Sequence, residues 1–347
     1  MTAWAAQTSA LKLDEDIVFY PTVAYRAADG TNWNVEIHGC VYEPDKRMVE
    51  LALLTGALEL DRVKMTPAEY GLYKERARLF MVDHKGGRKI VFRAAGREFA
   101  SGKSRADGQF FAIVRLSDAE EKQFEREGTK FTALLPPKDK RDFMGQATIM
   151  NPTGITVISD IDDTIKITGV HDRKATLRNT FLEPFKPVPG MAAAYQHWAQ
   201  TTDAQFCYVS ASPWQLFQPL SEFIRTNGFP AGPSYLKNFR WKDKSFFALF
   251  ESPEKFKPIV IEPLLARFPE RRFVLVGDSG QRDPEIYGAL ARSHPQQVAR
   301  IFIRDVTGKP TDAARYQAAF RDLPPRMWRV FHDPAEIAGQ ESNVLKR

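Results

Sequence analysis

Residues 156–164 read TVISDIDDT, an apolar run that ends abruptly in two carboxylates one residue apart and then a hydroxyl. A run of this kind reads as a buried strand that delivers charged groups to a pocket at its end. Side chains alternate along a strand, so Asp160 and Asp162 leave it on the same side, and just past its end both can reach one phosphate. One carboxylate can attack phosphorus while the other handles the proton. Two anions beside a dianionic phosphate repel it and each other unless a cation intervenes. The pair therefore calls for Mg²⁺, a hard ion served by carboxylate oxygens, and for further aspartates downstream.

Those aspartates stand in VLVGDSGQRDPEIY, residues 274–287. There an apolar run ends in Asp278, and Asp283 opens a predicted helix with Pro284 at its first position. Between the two acidic pairs, CYVSAS carries Ser210 to a third strand end, and Lys257 follows in EKFKPIVIEPLL. A strand-end hydroxyl can hydrogen-bond a phosphate oxygen, and a lysine can offset the charge of a phosphorylated intermediate. Lys255 competes with Lys257 for that role, and Lys257 is preferred for its register with the apolar helix face that follows. Asp163, the middle acid of its run, is expected to face away and is given no catalytic role.

In order, the set is DxDxT, a strand-terminal Ser, a Lys and GDxxxxD, and it resembles the four motifs of the haloacid dehalogenase (HAD) superfamily of phosphotransferases. The likeness goes further. ISDIDDTIKITGV, FPAGPSYL, FPERRFVLVGDSGQRDPEIY and IFIRDV look like the actin-patch phosphatidate phosphatase family of fungi and its bacterial relatives, over residues 153–306. This resemblance implies that Asp160 is the nucleophile and Asp162 the acid and base. It also implies that Thr164 and Ser210 hold phosphate oxygens and that Lys257 neutralises developing charge. The Mg²⁺ site it implies consists of Asp160, Asp278, Asp283 and the backbone carbonyl of Asp162. Superfamily members that drive pumps or remove halide generally lack the second aspartate, so Asp162 favours phosphatase or mutase chemistry. The implied function is hydrolysis of phosphatidate to diacylglycerol and phosphate. The rival readings are a phosphatase of another monoester, such as a phosphoprotein or sugar phosphate, and a lipid-binding module with dormant chemistry.

Several other patterns carry no function. GDSG at 277–280 has the look of a serine-protease nucleophile, but paired cysteines and a protease-like continuation are missing. GREFASGKS at 96–104 has five residues where a phosphate-cradling loop requires four, and reads as a hairpin loop. No GxGxxG follows a predicted strand, and the six histidines form no metal-ligand cluster, with His171 assigned to the surface.

The elements that must position the motifs divide the chain in two. Residues 1–152 read as a β-rich domain, with strands over 16–25, 34–41, 89–99 and 109–116 and a helical excursion over 67–82. From 153 to 347 apolar strands at 155–159, 205–210, 272–277 and 299–304 alternate with helices near 190–200, 214–227, 257–268 and 284–292. That alternation predicts a doubly wound parallel sheet, with functional groups at the carboxyl ends of its strands. The C-terminal WRVF and DPAEI segments are expected to pack back onto it.

With 347 residues, 43% of them hydrophobic, the chain can bury sizeable cores. It has no apolar run of ~18 residues that could span a bilayer. Cys40 and Cys207 are too few for a disulfide framework, and Cys207 reads as a buried strand thiol. The net charge of +6 falls as +1 on residues 1–150 and +5 on 151–347, so the proposed catalytic half is basic despite its aspartates. Such a field draws anionic phosphoesters or an anionic membrane and is too scattered for nucleic acid. The candidate for a peripheral membrane contact is SYLKNFRWKDKSFFALF, where Lys237, Arg240, Lys242 and Lys244 interleave with Phe239, Trp241, Phe246 and Phe247. Phe246, Phe247 and Phe250 read as the core face of a helix, which leaves Trp241 and the cations open between a membrane contact and a solvated face. The expected location is cytoplasmic or peripheral to a membrane. The small residues of MTAWAAQTSA leave a periplasmic or secreted alternative if a leader has been removed. The oligomeric state is left open.

Overall fold

A computed structural model describes residues 8–44, 51, 54–56, 58, 64–238, 254–308, 310 and 313–340. The chain forms two compact units, residues 1–51 with 78–151 and residues 52–77 with 152–347. Most of the candidate membrane contact, residues 239–253 with Phe239, Arg240, Trp241, Lys242, Lys244, Phe246 and Phe247, lies outside the described residues.

In the first unit the strands are β1 (Asp16–Tyr20), β2 (Thr22–Arg26), β3 (Trp33–Glu43), β4 (Asp83–His84), β5 (Lys89–Ala94), β6 (Arg97–Lys103), β7 (Gln109–Leu116), β8 (Lys130–Ala133) and β9 (Met144–Met150). All pairings among them are antiparallel except that of β2 with β9, and their inner faces close over Phe19, Phe92, Phe110 and Phe131. Two expectations are corrected here. The strand read over 16–25 is broken at Pro21, which has no N–H to give a ladder. The strand read over 89–99 is a hairpin, because Ala95 and Gly96 both take positive φ (49° and 71°) and turn the chain back, so Gly102 and Lys103 lie at the end of β6.

The second unit holds β10 (Gly154–Ser159), β11 (Lys166–Ile167), β12 (Lys186–Pro187), β13 (Gln205–Pro213), β14 (Ser234–Lys237), β15 (Arg271–Asp278), β16 (Val298–Arg304) and β17 (Trp328–Phe331). Six of these form one parallel sheet in the order β14-β13-β10-β15-β16-β17, and β11 pairs with β12 separately. Counted along the chain, the sheet order is 3-2-1-4-5-6, that of a doubly wound sheet, and its direction reverses between β10 and β15. β10 is GITVIS, β-branched and buried from Ile155 onward, as a strand covered on both faces must be. At the amino ends Arg271 ties β15 to its neighbour, donating from Nε to Thr156 Oγ1 (2.8 Å) and from its terminal nitrogens to the carbonyls of Thr153 (2.6 Å) and Ile155 (2.7 Å).

Several elements went unread in the sequence, β14 and the helix Arg173–Phe181 among them. β14 is a four-residue edge strand behind a proline-rich turn, too short to show a period. The helix Arg173–Phe181 is set by Asp172, whose side chain accepts from the amides of Lys174 and Ala175. The helix Pro67–Arg78 groups mainly with the second unit although its sequence interrupts the first. Within that unit Tyr73 meets Phe181, and Arg76 donates to the carbonyls of Thr180 (2.6 Å) and Glu183 (2.7 Å). Cys40 and Cys207 are buried free thiols. No helix among the described residues is long and apolar enough to cross a membrane.

Candidate active site

The strand order reverses between β10 and β15, and it is outside the carboxyl ends of strands at such a point that open α/β sheets bind ligands. Asp160 lies immediately past β10, its amide still in the ladder with Val276 O at 2.9 Å, and Asp278 is the last residue of β15. The turn after β15 folds back tightly. Gly280 N donates to Asp278 Oδ1 (2.6 Å), and Asp283, first residue of the helix Asp283–Ser293, accepts from Asp278 N at 3.2 Å. Gly277 makes this possible, since a Cβ there would stand 2.2 Å from Asp283 Oδ2. Gly277→Ala is therefore expected to push Asp283 out of place and cut activity about tenfold or more while the sheet stays folded. Steady-state rates beside a thermal melt check this.

Carboxylate oxygens of Asp160, Asp278 and Asp283 all lie within 4.8 Å of one another, and all three residues are buried. Lys257, wholly buried near the start of the helix Phe256–Arg267, sits 2.9 Å from Asp160 Oδ1 and also bonds Asp283 Oδ1, whereas Lys255 is exposed. Burial pushes Asp160 up to about 7, with Lys257 only partly offsetting it and Asp283 and Asp162 adding to the rise. Asp278 is driven well above the carboxylate range by burial and then by Asp283 and Asp160. Burial opposes the charge on Lys257, but Asp160 and Asp283 outweigh it and hold the ammonium firmly protonated.

These residues fit a divalent hard cation. Only when all three carboxylates are ionised does one ammonium leave two negative charges in this dry place, a state that a cation would favour, and Asp278 Oδ2 is buried with no hydrogen-bond partner.

Asp162 stands apart from that cluster and is differently held. Its Oδ1 takes Lys166 Nζ (2.8 Å) and Thr168 Oγ1 (2.7 Å), and its Oδ2 takes Ser210 Oγ (3.0 Å) and Ser212 Oγ (2.7 Å). Burial alone would raise its pKa, but the charge of Lys166 and the hydrogen bonds from Lys166, Ser212 and Thr168 bring it down to about 2. Its side chain keeps 15% exposure against 3% for Asp160, so Asp162 is the acid nearer to solvent. Thr164 donates to Asp160 Oδ2 at 3.2 Å.

Asp160, Asp162, Thr164, Ser210, Lys257, Asp278 and Asp283, named from the sequence, thus come together at the carboxyl ends of β10, β13 and β15. Asp163 turns away with φ +54°, and its carboxylate accepts the amides of Thr168 (2.7 Å), Gly169 (2.8 Å) and Val170 (2.6 Å), which shapes the loop after β10. Ser279 of the GDSG stretch is buried and donates to Asp305 at 3.0 Å, and His171 is exposed. Sequence reasoning missed Lys166, Thr168 and Ser212. For Ser212 the second serine of CYVSAS was a signal; Lys166 and Thr168 meet Asp162 through a loop that leaves none.

Strand order and side chains together define a Rossmann-like α/β domain whose switch point carries a buried, cation-type carboxylate cluster. Residues 155–305 match the family model described as phosphatidate phosphatase APP1, catalytic domain, so the resemblance read from the motifs holds over that segment. The chain is similar to phosphatidate phosphatase APP1 of Saccharomyces cerevisiae, 38% identical over 169 residues that cover 48% of this chain and 28% of the yeast protein. It is also similar to an uncharacterized protein of Schizosaccharomyces pombe, 28% identical over 198 residues, 56% of this chain and 32% of the relative. The chain thus spans about a third or less of the length of these curated relatives. Among solved structures, a putative beta-phosphoglucomutase from Thermotoga maritima aligns with a TM-score of 0.33 at 15% identity, over 55% of this chain and 99% of that one.

Proposed function

We propose that this protein is a Mg²⁺-dependent phosphatidate phosphatase of the HAD type, working through a phosphoryl group carried on Asp160. The observation that carries the reading is the convergence of Asp160, Asp278 and Asp283 on one point, with Lys257 bridging two of them. In the first half-reaction an Asp160 oxygen forms a bond to phosphorus while the bond from phosphorus to the glycerol oxygen breaks. Asp162 hands the departing alkoxide a proton. It is anionic in the resting arrangement, and a monoprotonated phosphate ester is a source from which it can first take that proton. In the second half-reaction Asp162 accepts a proton from water, the water oxygen attacks phosphorus, and Asp160 is released as a carboxylate with inorganic phosphate. Ser210 and Thr164, whose hydroxyls donate to Asp162 and Asp160 in the resting site, can turn to donate to the phosphate oxygens, and Lys257 offsets their charge. A Mg²⁺ ion held by Asp160, Asp278, Asp283 and the backbone carbonyl of Asp162 would supply the charge that lets an anionic phosphate ester approach the acidic cluster.

The substrate rests on the APP1 relatives and on the basic balance of residues 151–347, which suits an anionic lipid surface. Phosphate release from phosphatidate in mixed micelles, beside a soluble sugar phosphate, a phosphopeptide and an aryl phosphate, tests it. Phosphatidate is expected to show the highest kcat/KM. Faster turnover of a soluble ester moves the function to another monoester, and no release from any member leaves only the dormant lipid-binding reading.

A further inference from the structure

Lys166 is almost wholly buried, with 1% of its surface exposed. Its ammonium makes polar contact with Asp162 Oδ1 and with Thr168 Oγ1, and Thr168 donates onward to the same Asp162 oxygen. The polar contacts of this cation therefore run to Asp162, directly or one bond removed. The backbone enforces the meeting. Lys166 N donates to Ile161 O (2.9 Å) and Asp163 N to Lys166 O (2.7 Å), closing a small loop that sets Asp162 against Lys166.

Below the ammonium lies Phe185, its ring centroid 4.7 Å from Lys166 Nζ and 3.9 Å from the guanidinium carbon of Arg76. Arg76 is itself tied to the carbonyls of Thr180 and Glu183, so the ring is in contact with two cations, one of them anchored. A buried ion pair gains little stability over apolar side chains of the same volume. What this pair does achieve is one orientation for Asp162, both of whose oxygens are taken by named donors.

We propose that Lys166, seated on Phe185, is the positioning residue for Asp162, aiming its carboxylate at the leaving-group oxygen of the substrate. The proposal rests on the phosphatase reading above, in which Asp162 serves the departing alkoxide. It has a signature that a structural role lacks. An alkyl ester expels a strongly basic alkoxide and needs the proton, whereas an aryl phosphate expels a stable phenolate and needs it little. Since kcat/KM covers the steps through departure of the leaving group, it isolates that difference.

The test is kcat/KM of the full chain and of Lys166→Met on phosphatidate in mixed micelles and on 4-nitrophenyl phosphate, with Mg²⁺ present. Lys166→Met is expected to lose about 100-fold on the alkyl ester and at most about tenfold on the aryl ester. Ser212→Ala, which removes one neutral donor to the other oxygen, is expected to show the same skew at smaller size, and decides the matter if Lys166→Met does not fold. Equal proportional losses on the two esters, or no loss, would overturn the proposal. A parent protein that releases phosphate from neither ester would remove the phosphatase reading itself, a result distinguishable from an active parent whose variants show no skew.

Discussion

Asp160→Asn is expected to lower Mg²⁺-dependent phosphate release from phosphatidate by about a thousandfold or more, because the amide oxygen is a poor nucleophile toward phosphorus. Size and shape are nearly kept; the one amide oxygen can still face Lys257, and the amide nitrogen can donate to Thr164 Oγ1 where the second carboxylate oxygen accepted from it. The fold should not suffer. In the parent, three buried carboxylates crowd one another, and burial has pushed Asp160 up to about 7. Replacing one by a neutral amide removes repulsion, so the melting temperature without metal should be unchanged or higher. Phosphate release and a thermal melt on one preparation separate lost chemistry from lost structure. An inactive variant that melts well below the parent would point to a structural role for Asp160.

Chelation should have an effect of similar size. With EDTA in excess, phosphate release should fall to background, and added Mg²⁺ should restore it. Binding should also register without any turnover. A ligand that binds only the folded state stabilises it by RT ln(1 + [L]/Kd), about 2.7 kcal/mol at a hundred times Kd, and on this second unit that should raise the melting temperature by roughly 5 °C or more. The carboxylates of Asp278 and Asp283 should be necessary for the rise, since both belong to the cluster and Asp278 Oδ2 is a buried oxygen with no hydrogen-bond partner. Asp278→Asn should therefore blunt the Mg²⁺-induced shift. A parent active in EDTA, with a melting temperature indifferent to Mg²⁺, would count against the cation.

Much of the site was legible because strand ends announce themselves. Ser210 and Asp278 each follow an apolar run and Asp160 a buried, largely β-branched one, and a parallel sheet buried on both faces produces such runs. Asp163 was legible for the same reason, as the member of the acidic run on the opposite side of the chain. Lys166 was not. Its importance comes from a loop closed by two backbone hydrogen bonds and from a ring nineteen residues further on, and neither leaves a local period. The hairpin at Ala95 and Gly96 escaped because alanine rarely takes a positive φ, so the turn carried only half of its usual signal. The grouping of Pro67–Arg78 with the second unit escaped for a different reason. A helix inserted within one unit betrays its packing partner only through tertiary contacts such as Arg76 with Thr180 and Tyr73 with Phe181.

The central claim, that Asp160 carries the phosphoryl group within a cation-bound acidic cluster, is tested most directly by trapping the intermediate. Radiolabelled phosphatidate, Mg²⁺ and the protein would be mixed, quenched in acid within one turnover, and the digested chain mapped by mass spectrometry. The account predicts one phosphoryl group on the peptide that contains Asp160, released by hydroxylamine, and absent both in Asp160→Asn and in EDTA. Phosphoryl label on a different residue, or undiminished labelling of Asp160→Asn, would contradict it.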